Sequence, residues 1–149
     1  MVERGVTVVN KFLDAITIQL HSAFGDNYKY YIENVEQHLT KPCFTIEVLT
    51  LPERSRSRLL YDRAIPIVVH YFSNEKSTTK QDCYEKAEII RETLEYVPFE
   101  GSMLRAEDMD GDIVDDVLQM FFTYRFITKK LTSNEDEMGE LVESKIAHK

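Results

Sequence analysis

Apolar residues near the N-terminus recur with the spacing of a helix. They are separated by steps of three and four residues, so they fall on one helical face. Their positions are Val9, Phe12, Ile16, Leu20 and Phe24. The next three residues, Gly25-Asp26-Asn27, are of types that end helices and form turns. The pattern predicts an amphipathic helix from Thr7 to Phe24.

Three stretches after this helix have the composition of β-strands. Residues Tyr28 to Val35 are aromatic and β-branched, and residues Cys43 to Leu51 alternate between apolar and polar types. Residues Leu59 to Phe72 alternate in the same way but include Pro66. Because proline has no amide hydrogen to donate to a neighbouring strand, this third strand is expected at a sheet edge or with a bulge.

A second helical pattern follows a polar connection. Thr79 and Asp82 have the spacing of a capping box, and Pro98 supplies a stop. We therefore predict a helix from about Thr79 to Val97. Its apolar stripe consists of Cys83, Ala87, Ile90, Leu94 and Val97.

Two further strand-like stretches, Ser102 to Met109 and Ile113 to Lys129, flank the dipeptide Asp110-Gly111. Asp-Gly favours the type I′ turn of a two-residue hairpin, so a hairpin is predicted there. The second arm is apolar on both faces, as the neighbours Phe121 and Phe122 illustrate. Such a strand belongs in the middle of a sheet or against a partner subunit.

The order of these elements predicts an α+β fold. We expect a mixed, mainly antiparallel sheet with two main helices packed on it, formed by one domain over residues 1–130. Residues 131–149 form an acidic C-terminal extension in which a short apolar stripe predicts a further helix that needs a surface to dock on. That stripe consists of Met138, Leu141, Val142 and Ile146.

Charge and composition narrow the class of protein. The 149 residues include 18 Lys and Arg against 26 Asp and Glu, a formal net charge of −8. This acidity argues against a protein whose main task is to bind nucleic acid, and the two cysteines are too few for a disulfide scaffold. No apolar run predicts a membrane span or a signal peptide, so we expect a reduced domain made in the cytoplasm.

One local basic stretch stands out against this acidity. Arg54, Arg56 and Arg58 occur at every second position, and an extended backbone would point them to one side. On charge pattern alone a solvated loop is the simpler interpretation, and a partner contact is the alternative.

The residue patterns of common catalytic and metal sites are not met. Asp108 to Asp112 resemble the start of a calcium loop, but the sixth and twelfth positions hold Ile113 and Gln119 instead of Gly and Glu. The four histidines lack metal-ligand spacing, and Cys43 and Cys83 occupy positions typical of buried thiols. We therefore predict no catalytic residue, no metal and no cofactor, and a protein that is not an enzyme.

Residues Tyr31 to Phe44 resemble the strand–turn–strand segment of the tail terminator family of bacteriophages and phage-derived contractile particles. The order of helix, long strand, helix ending near Pro98 and closing hairpin extends this resemblance over residues Val6 to Lys130. The similar residues in the segment are Glu33, Val35, Gln37, Pro42 and Phe44.

The resemblance implies a structural virion protein that forms a hexameric ring. Such a ring caps the tail tube, stops polymerisation of tube and sheath, and provides the surface to which the head-side connector attaches. Its expected partners are further copies of itself, the tail tube protein, the tail sheath and the head–tail connector, with no membrane and no specific nucleic acid. Its expected place is the neck end of the virion tail, after assembly in the host bacterial cytoplasm.

The family has no motif that marks contact residues, so candidate contacts follow from chemistry. Arg54, Arg56 and Arg58 are the candidates for binding the tail tube or sheath. The candidate subunit interface consists of Pro66, Phe121, Ile127, Met138, Leu141, Val142 and Ile146.

Two other functions stay open. The protein could be another neck component, such as a connector or stopper, or a small enzyme or ligand-binding domain.

Overall fold

The computed structural model describes residues 8–32 and 39–130, which form two helices and two sheets. This confirms the α+β fold, whereas the predicted C-terminal helix and the domain boundary at residue 130 lie outside the described residues. The elements are α1 (Val8–Phe24), β1 (Lys29–Tyr31), β2 (Cys43–Val48), β3 (Glu53–Ser55), β4 (Leu60–Phe72), α2 (Thr79–Leu94), β5 (Tyr96–Phe99), β6 (Ser102–Arg105), β7 (Asp108–Val114) and β8 (Val117–Lys129). Neither helix is long and apolar enough to cross a bilayer.

The main sheet has the strand order β1-β2-β4-β8-β7, and β3 pairs with the start of β4. Among the strands of the described residues, β1 and β2 alone pair in parallel. Strands β4 and β8 pair along all 13 residues of each, whereas β7 reaches only as far as Thr123. Beyond that point β3, residues 60–64 of β4 and residues 125–129 of β8 form a narrower three-stranded extension, which we call the arm.

Pro66 lies in the interior of the sheet, so the prediction of an edge strand or a bulge there is wrong. Strand β4 pairs with β8 without interruption, with Pro66 opposite Thr123. On the other side of β4, the pairing with β2 ends at Ile67 and the pairing with β3 begins at Arg63. The Pro66 carbonyl accepts a hydrogen bond from the Leu49 amide on that side. The missing proline amide therefore faces the gap between β2 and β3, where no ladder partner is lost.

The core lies on one side of the main sheet, between the sheet and the two helices. Phe12 of α1 contacts the ring of Tyr124 with centroids 4.9 Å apart, and the Tyr124 hydroxyl donates to the Leu94 carbonyl over 2.6 Å. The β5–β6 hairpin covers the same side, because Phe99 contacts both Phe12 and Phe126. The side chains that β4 and β8 bury there are Ile65, Ile67, Val69, Tyr71, Leu118, Met120, Phe122, Tyr124 and Phe126.

The aromatic residues at the start of the sheet belong to the same core. The ring of Tyr30 stacks on Phe44 with centroids 5.5 Å apart, and Tyr28 contacts Phe44 as well. Burial, assisted by Tyr28 and Asp26, raises the pKa of Tyr30 to about 12. The strand predicted from Tyr28 to Val35 forms over Lys29–Tyr31, and residues 33–38 lie outside the described residues.

Helix α2 is joined to β4 by a polar cluster, and the predicted capping box is wrong. Asp82 accepts hydrogen bonds from the Tyr71 hydroxyl, the Ser73 hydroxyl and the Lys86 ammonium, over 2.6, 2.6 and 2.7 Å. Thr79 donates its hydroxyl to the Glu75 carbonyl instead of capping the helix. These groups are partly buried, so the bonds to the Asp82 carboxylate replace hydrogen bonds to water that they lose on folding.

The second helix is shorter than predicted, because Leu94 and not Val97 is its last residue. Residues Tyr96–Phe99 instead form β5, which pairs with β6 in a hairpin closed by Glu100 and Gly101 at positive φ. The side chain of Val97 is still buried in the core. Val97 thus reaches the core from strand β5, although its spacing from Leu94 along the chain is that of a helix.

The position of the last hairpin turn also differs from the prediction. Asp110 and Gly111 lie inside β7, and the two-residue turn consists of Asp115 and Asp116, with φ of 53° and 64°. At position 111 an added Cβ would come within 2.7 Å of the Met120 sulfur. The glycine thus makes room for a neighbouring side chain, and two aspartates adopt the left-handed conformation that the turn requires.

Candidate functional site

The side of the main sheet opposite the core carries no helix in the described part of the chain. We call this side the open face. Pro66, Phe121 and Ile127 all belong to it, because their positions in the register pair them with Thr123, Val68 and Asp62. All three are half-buried. The structure therefore brings together, on one surface, the three candidate interface residues that it describes.

Strands β4 and β8 place mostly uncharged side chains on the open face. Phe121 and Val68 are paired near its middle, and Phe72 and Val117 are paired at one end, next to His70 and Gln119. The His70 Nδ1 lies 3.2 Å from the Thr45 hydroxyl. Burial lowers the pKa of His70 despite the opposing effect of Glu47, so the imidazole is neutral at pH 7. A surface of this kind can be removed from water at low cost.

A groove of about 1040 Å³ lies along the arm, between it and strand β6. Its walls bring together arginines from four separate parts of the sequence, although the protein as a whole is acidic. The same walls contain three carboxylates, those of Glu53, Asp62 and Glu107. The five arginines that line it are Arg54, Arg56, Arg63, Arg105 and Arg125. We call it the arginine groove.

Ion pairs inside the arginine groove use up only part of its positive charge. Arg125 pairs with Glu107 over 2.8 Å, Arg56 pairs with Asp62 over 3.1 Å, and Arg105 pairs over 3.4 Å with Glu95, which lies outside the groove. Among the residues that the structure describes, Arg54 has no carboxylate within ion-pair distance. Arg63 instead stacks its guanidinium over the Phe126 ring at 5.9 Å. The groove therefore retains cationic groups that can receive carboxylates from another molecule.

Strand β7 and its turn carry the opposite charge. Asp110 and Asp112 lie on the open face and are exposed, as is Asp115 in the turn. Between residues 106 and 124 the sequence contains no lysine or arginine. Asp110 and Asp112 each accept a hydrogen bond from the next amide, Gly111 and Ile113, over 2.9 and 2.8 Å. We call Asp110, Asp112 and Asp115 the acidic hairpin.

The three arginines predicted to bind a partner do not share one surface. Arg54 and Arg56 line the arginine groove, and Arg58 is exposed but is not among its walls. The reason is that β3 ends at Ser55, after which the Arg56 and Ser57 amides both donate to the Leu60 carbonyl in a tight turn. The alternating spacing therefore does not continue as a strand.

The remaining candidate interface residues, Met138, Leu141, Val142 and Ile146, lie outside the described residues. Sequence reasoning missed Arg63, Arg105 and Arg125, which no local pattern connects with Arg54.

Within residues 8–32 and 39–130 no group of histidine, cysteine, aspartate or glutamate side chains is arranged to hold a metal. Cys43 and Cys83 are buried free thiols, and burial raises the pKa of Cys43 to about 11.

Comparisons with known proteins identify the family. The model of a family described as phage tail terminator protein matches residues 11–137, which is most of the chain. No curated protein matches. Among 18 matching chains of solved structures, one is 12% identical over 80% of this chain and 96% of that chain, with a TM-score of 0.31. That likeness is too distant to carry an argument. From the family match, the chain belongs to the phage tail terminator family and is a structural protein of a phage tail.

Proposed function

We propose that this protein forms a hexameric ring that caps the tail tube. In this proposal the ring stops the polymerisation of tube and sheath and presents the surface to which the head-side connector attaches. The observation that carries it is the open face, a largely apolar sheet surface that no helix of the described residues covers, in a chain that belongs to a phage tail terminator family. Such a face favours protein contact, because its apolar side chains gain by leaving water.

The open face is proposed as one half of the contact between neighbouring subunits. Phe121 lies near its middle, with Pro66 and Ile127 toward the arm. In a cyclic ring each contact joins two different patches, so the open face of one subunit meets another surface of the next. An aromatic ring at the centre of such a patch is the type of residue that dominates binding energy.

The predicted contact with the tail tube is proposed for Arg58. Its side chain is exposed and lies outside the arginine groove, so it is free to reach a second ring. The fold and the family match make an enzymatic role unnecessary, and in this proposal the protein acts through geometry alone. Capping would result from one ring face that fits the tube end and another that offers no further copy of that end.

The oligomeric state is tested by native mass spectrometry and negative-stain imaging of the full chain. We expect a six-subunit ring, and we expect Phe121→Asp to weaken it by at least about 100-fold in concentration, since a buried unpaired carboxylate costs several kcal/mol. Ile18→Asp is the matched control, because Ile18 is an exposed apolar residue on the far side of the molecule. A monomeric protein at high concentration would contradict the proposal.

Capping is tested by adding the purified protein to tail tubes that are still polymerising. We expect uniform tubes with a ring at one end, and Arg58→Glu is expected to restore growth while the ring itself persists. Labelled protein found only at the head-side connector, with no effect on tube length, would favour a stopper or connector instead.

A further inference from the structure

We infer that the arginine groove of one subunit binds the acidic hairpin of the next subunit in the ring. The inference deepens the proposed function and rests on it, because it names the second half of the contact between neighbours. The ligand of the groove is thus a carboxylate-bearing hairpin of a second copy of this chain.

The turn of the acidic hairpin and the arginine groove lie toward opposite ends of β8, and Asp110 lies between them, opposite Phe121. The turn at Asp115 and Asp116 is next to Val117, the first residue of β8, whereas Arg125 lies eight positions further along. At roughly 3.3 Å per residue in a strand, this separates Val117 from Arg125 by about 26 Å. Asp115 therefore lies well beyond reach of the groove of its own subunit, and Asp110, which is opposite Phe121 and four positions from Arg125, forms no ion pair with it. Two subunits placed end to end bring them together.

Charge supports the same arrangement. The groove has more arginines than carboxylates, and although Arg56, Arg105 and Arg125 form ion pairs within the subunit, Arg54 has no ion-pair partner in the described residues. Asp110, Asp112 and Asp115 likewise form no ion pair there. Asp116 is left out of this argument, since it shares a small pocket with Lys76 and Lys80 of its own chain. Each surface thus lacks in its own subunit the groups that the other supplies.

The chemistry of the contact fits arginine in particular. A guanidinium offers a planar set of donors that can bind both oxygens of one carboxylate. Asp110 and Asp112 each use one oxygen for a backbone amide, and the other oxygen is left to accept. The groove also continues onto the open face through Ala64, Arg125 and Ile127. The charged contact and the proposed apolar contact therefore belong to one continuous interface.

This inference divides the three arginines of the sequence prediction between two tasks. Arg54 and Arg56 line the groove and are assigned to the contact between subunits. Arg58, which does not line it, keeps the proposed contact with the tube. A contact between unlike patches also explains how a closed ring forms, because each subunit then offers one groove and one hairpin.

A charge swap in the full chain tests the inference. Arg54→Glu with Arg105→Glu makes the groove acidic, and Asp110→Lys with Asp112→Lys makes the hairpin basic. We expect each pair alone to raise the concentration at which the ring dissociates by about tenfold or more, because like charges then face each other. The four changes combined restore opposite charges, and we expect a dissociation concentration within about threefold of the unaltered protein.

Two further variants guard against a loss of folding. Asp110→Asn with Asp112→Asn and Asp115→Asn removes the charge but keeps an oxygen for the backbone amides and a residue that tolerates the turn. It is expected to weaken the ring while the circular dichroism spectrum stays unchanged. Glu85→Lys with Glu88→Lys reverses the charge at two exposed positions of α2, and is expected to leave the ring intact.

The outcomes separate the inference from the proposed function. A ring that survives both single reversals, or a combined variant that stays dissociated, overturns the inference and leaves the ring itself standing. A ring lost on neutralising Glu135, Asp136 and Glu137, but not the acidic hairpin, overturns it as well. If the unaltered protein is a monomer, the proposed function fails first and the inference fails with it.

Discussion

Replacing Asp82 is expected to loosen the attachment of α2 to the sheet. Its carboxylate accepts hydrogen bonds from β4, from the loop that follows β4 and from α2 itself, and the side chains of Asp82 and Lys86 are only 12% and 13% exposed. Asp82→Ala leaves the hydroxyl of Tyr71, which is 1% exposed, without an acceptor. Asp82→Asn preserves the shape and one acceptor oxygen but removes the charge that the Lys86 ammonium faces.

The size of the effect follows from how buried these groups are. Removing one partner of a fully buried ion pair costs about 3–5 kcal/mol, and leaving a buried donor without an acceptor costs about 1–3 kcal/mol. Because this cluster lies at the margin of the core, we expect the lower part of that range. Asp82→Ala should reduce the free energy of unfolding by about 3 kcal/mol and Asp82→Asn by about 2 kcal/mol.

The effect of Asp82 should depend on pH in a defined direction. Burial acts to raise the pKa of this carboxyl, but the hydrogen bonds from Lys86, Ser73 and Tyr71 outweigh burial and hold the pKa below its ordinary value. A carboxyl with a lowered pKa stabilises the folded state above its unfolded pKa of about 3.9, and that contribution is lost as the pH falls through the folded pKa. The gap between the unaltered protein and Asp82→Asn should therefore be constant from pH 7 to about pH 5 and shrink below about pH 4.

Urea unfolding followed by circular dichroism measures these differences at one protein concentration, because assembly also stabilises folded subunits. Glu85→Gln removes an exposed carboxylate from the same helix and serves as the control. Unfolding curves of Asp82→Asn that coincide with those of the unaltered protein, or a gap that widens as the pH falls, would refute the reasoning.

Two other substitutions test the core and the last turn by the same urea assay. Tyr124→Phe removes a buried hydroxyl that donates to the Leu94 carbonyl over 2.6 Å, and should cost about 1–2 kcal/mol; a change under about 0.3 kcal/mol would contradict this. Asp116→Gly should stabilise the protein by about 1 kcal/mol, because glycine adopts the φ of 64° without the strain of a side chain. A loss of stability in that variant would show that the aspartate side chain makes a contact that outweighs the strain.

Local patterns predicted the elements that depend on local spacing. The apolar steps from Val9 to Phe24 correspond to α1, and the alternation from Leu59 to Phe72 corresponds to β4, since both periods are fixed by the geometry of one element. The Asp-Gly signal failed because the space at Gly111 is needed by Met120, which approaches from another strand. The sequence pattern placed the end of α2 too late. Val97 is apolar because it is buried in the core, and a residue of a strand can be buried there just as a residue of a helix can.

The candidate site was only partly predictable, for a related reason. Phe121 and Ile127 have the same parity in one strand, so a shared face follows from the sequence once that strand is recognised. Pro66 joins them only through the register of β4 with β8. The convergence of Arg54, Arg63, Arg105 and Arg125 depends on how four distant segments pack, and no spacing along the chain encodes it.

The two aspartates of β7 that bind neighbouring amides also protect the sheet from uncontrolled growth. In the register of this hairpin, the Gly111 and Ile113 amides point away from β8, toward the outer margin of the sheet. Unoccupied amides along such a margin would template the addition of strands from other molecules, which is a route to aggregates. With carboxylates seated on them, and negative charge repelling an identical strand, this margin is a poor template for fibrillar stacking.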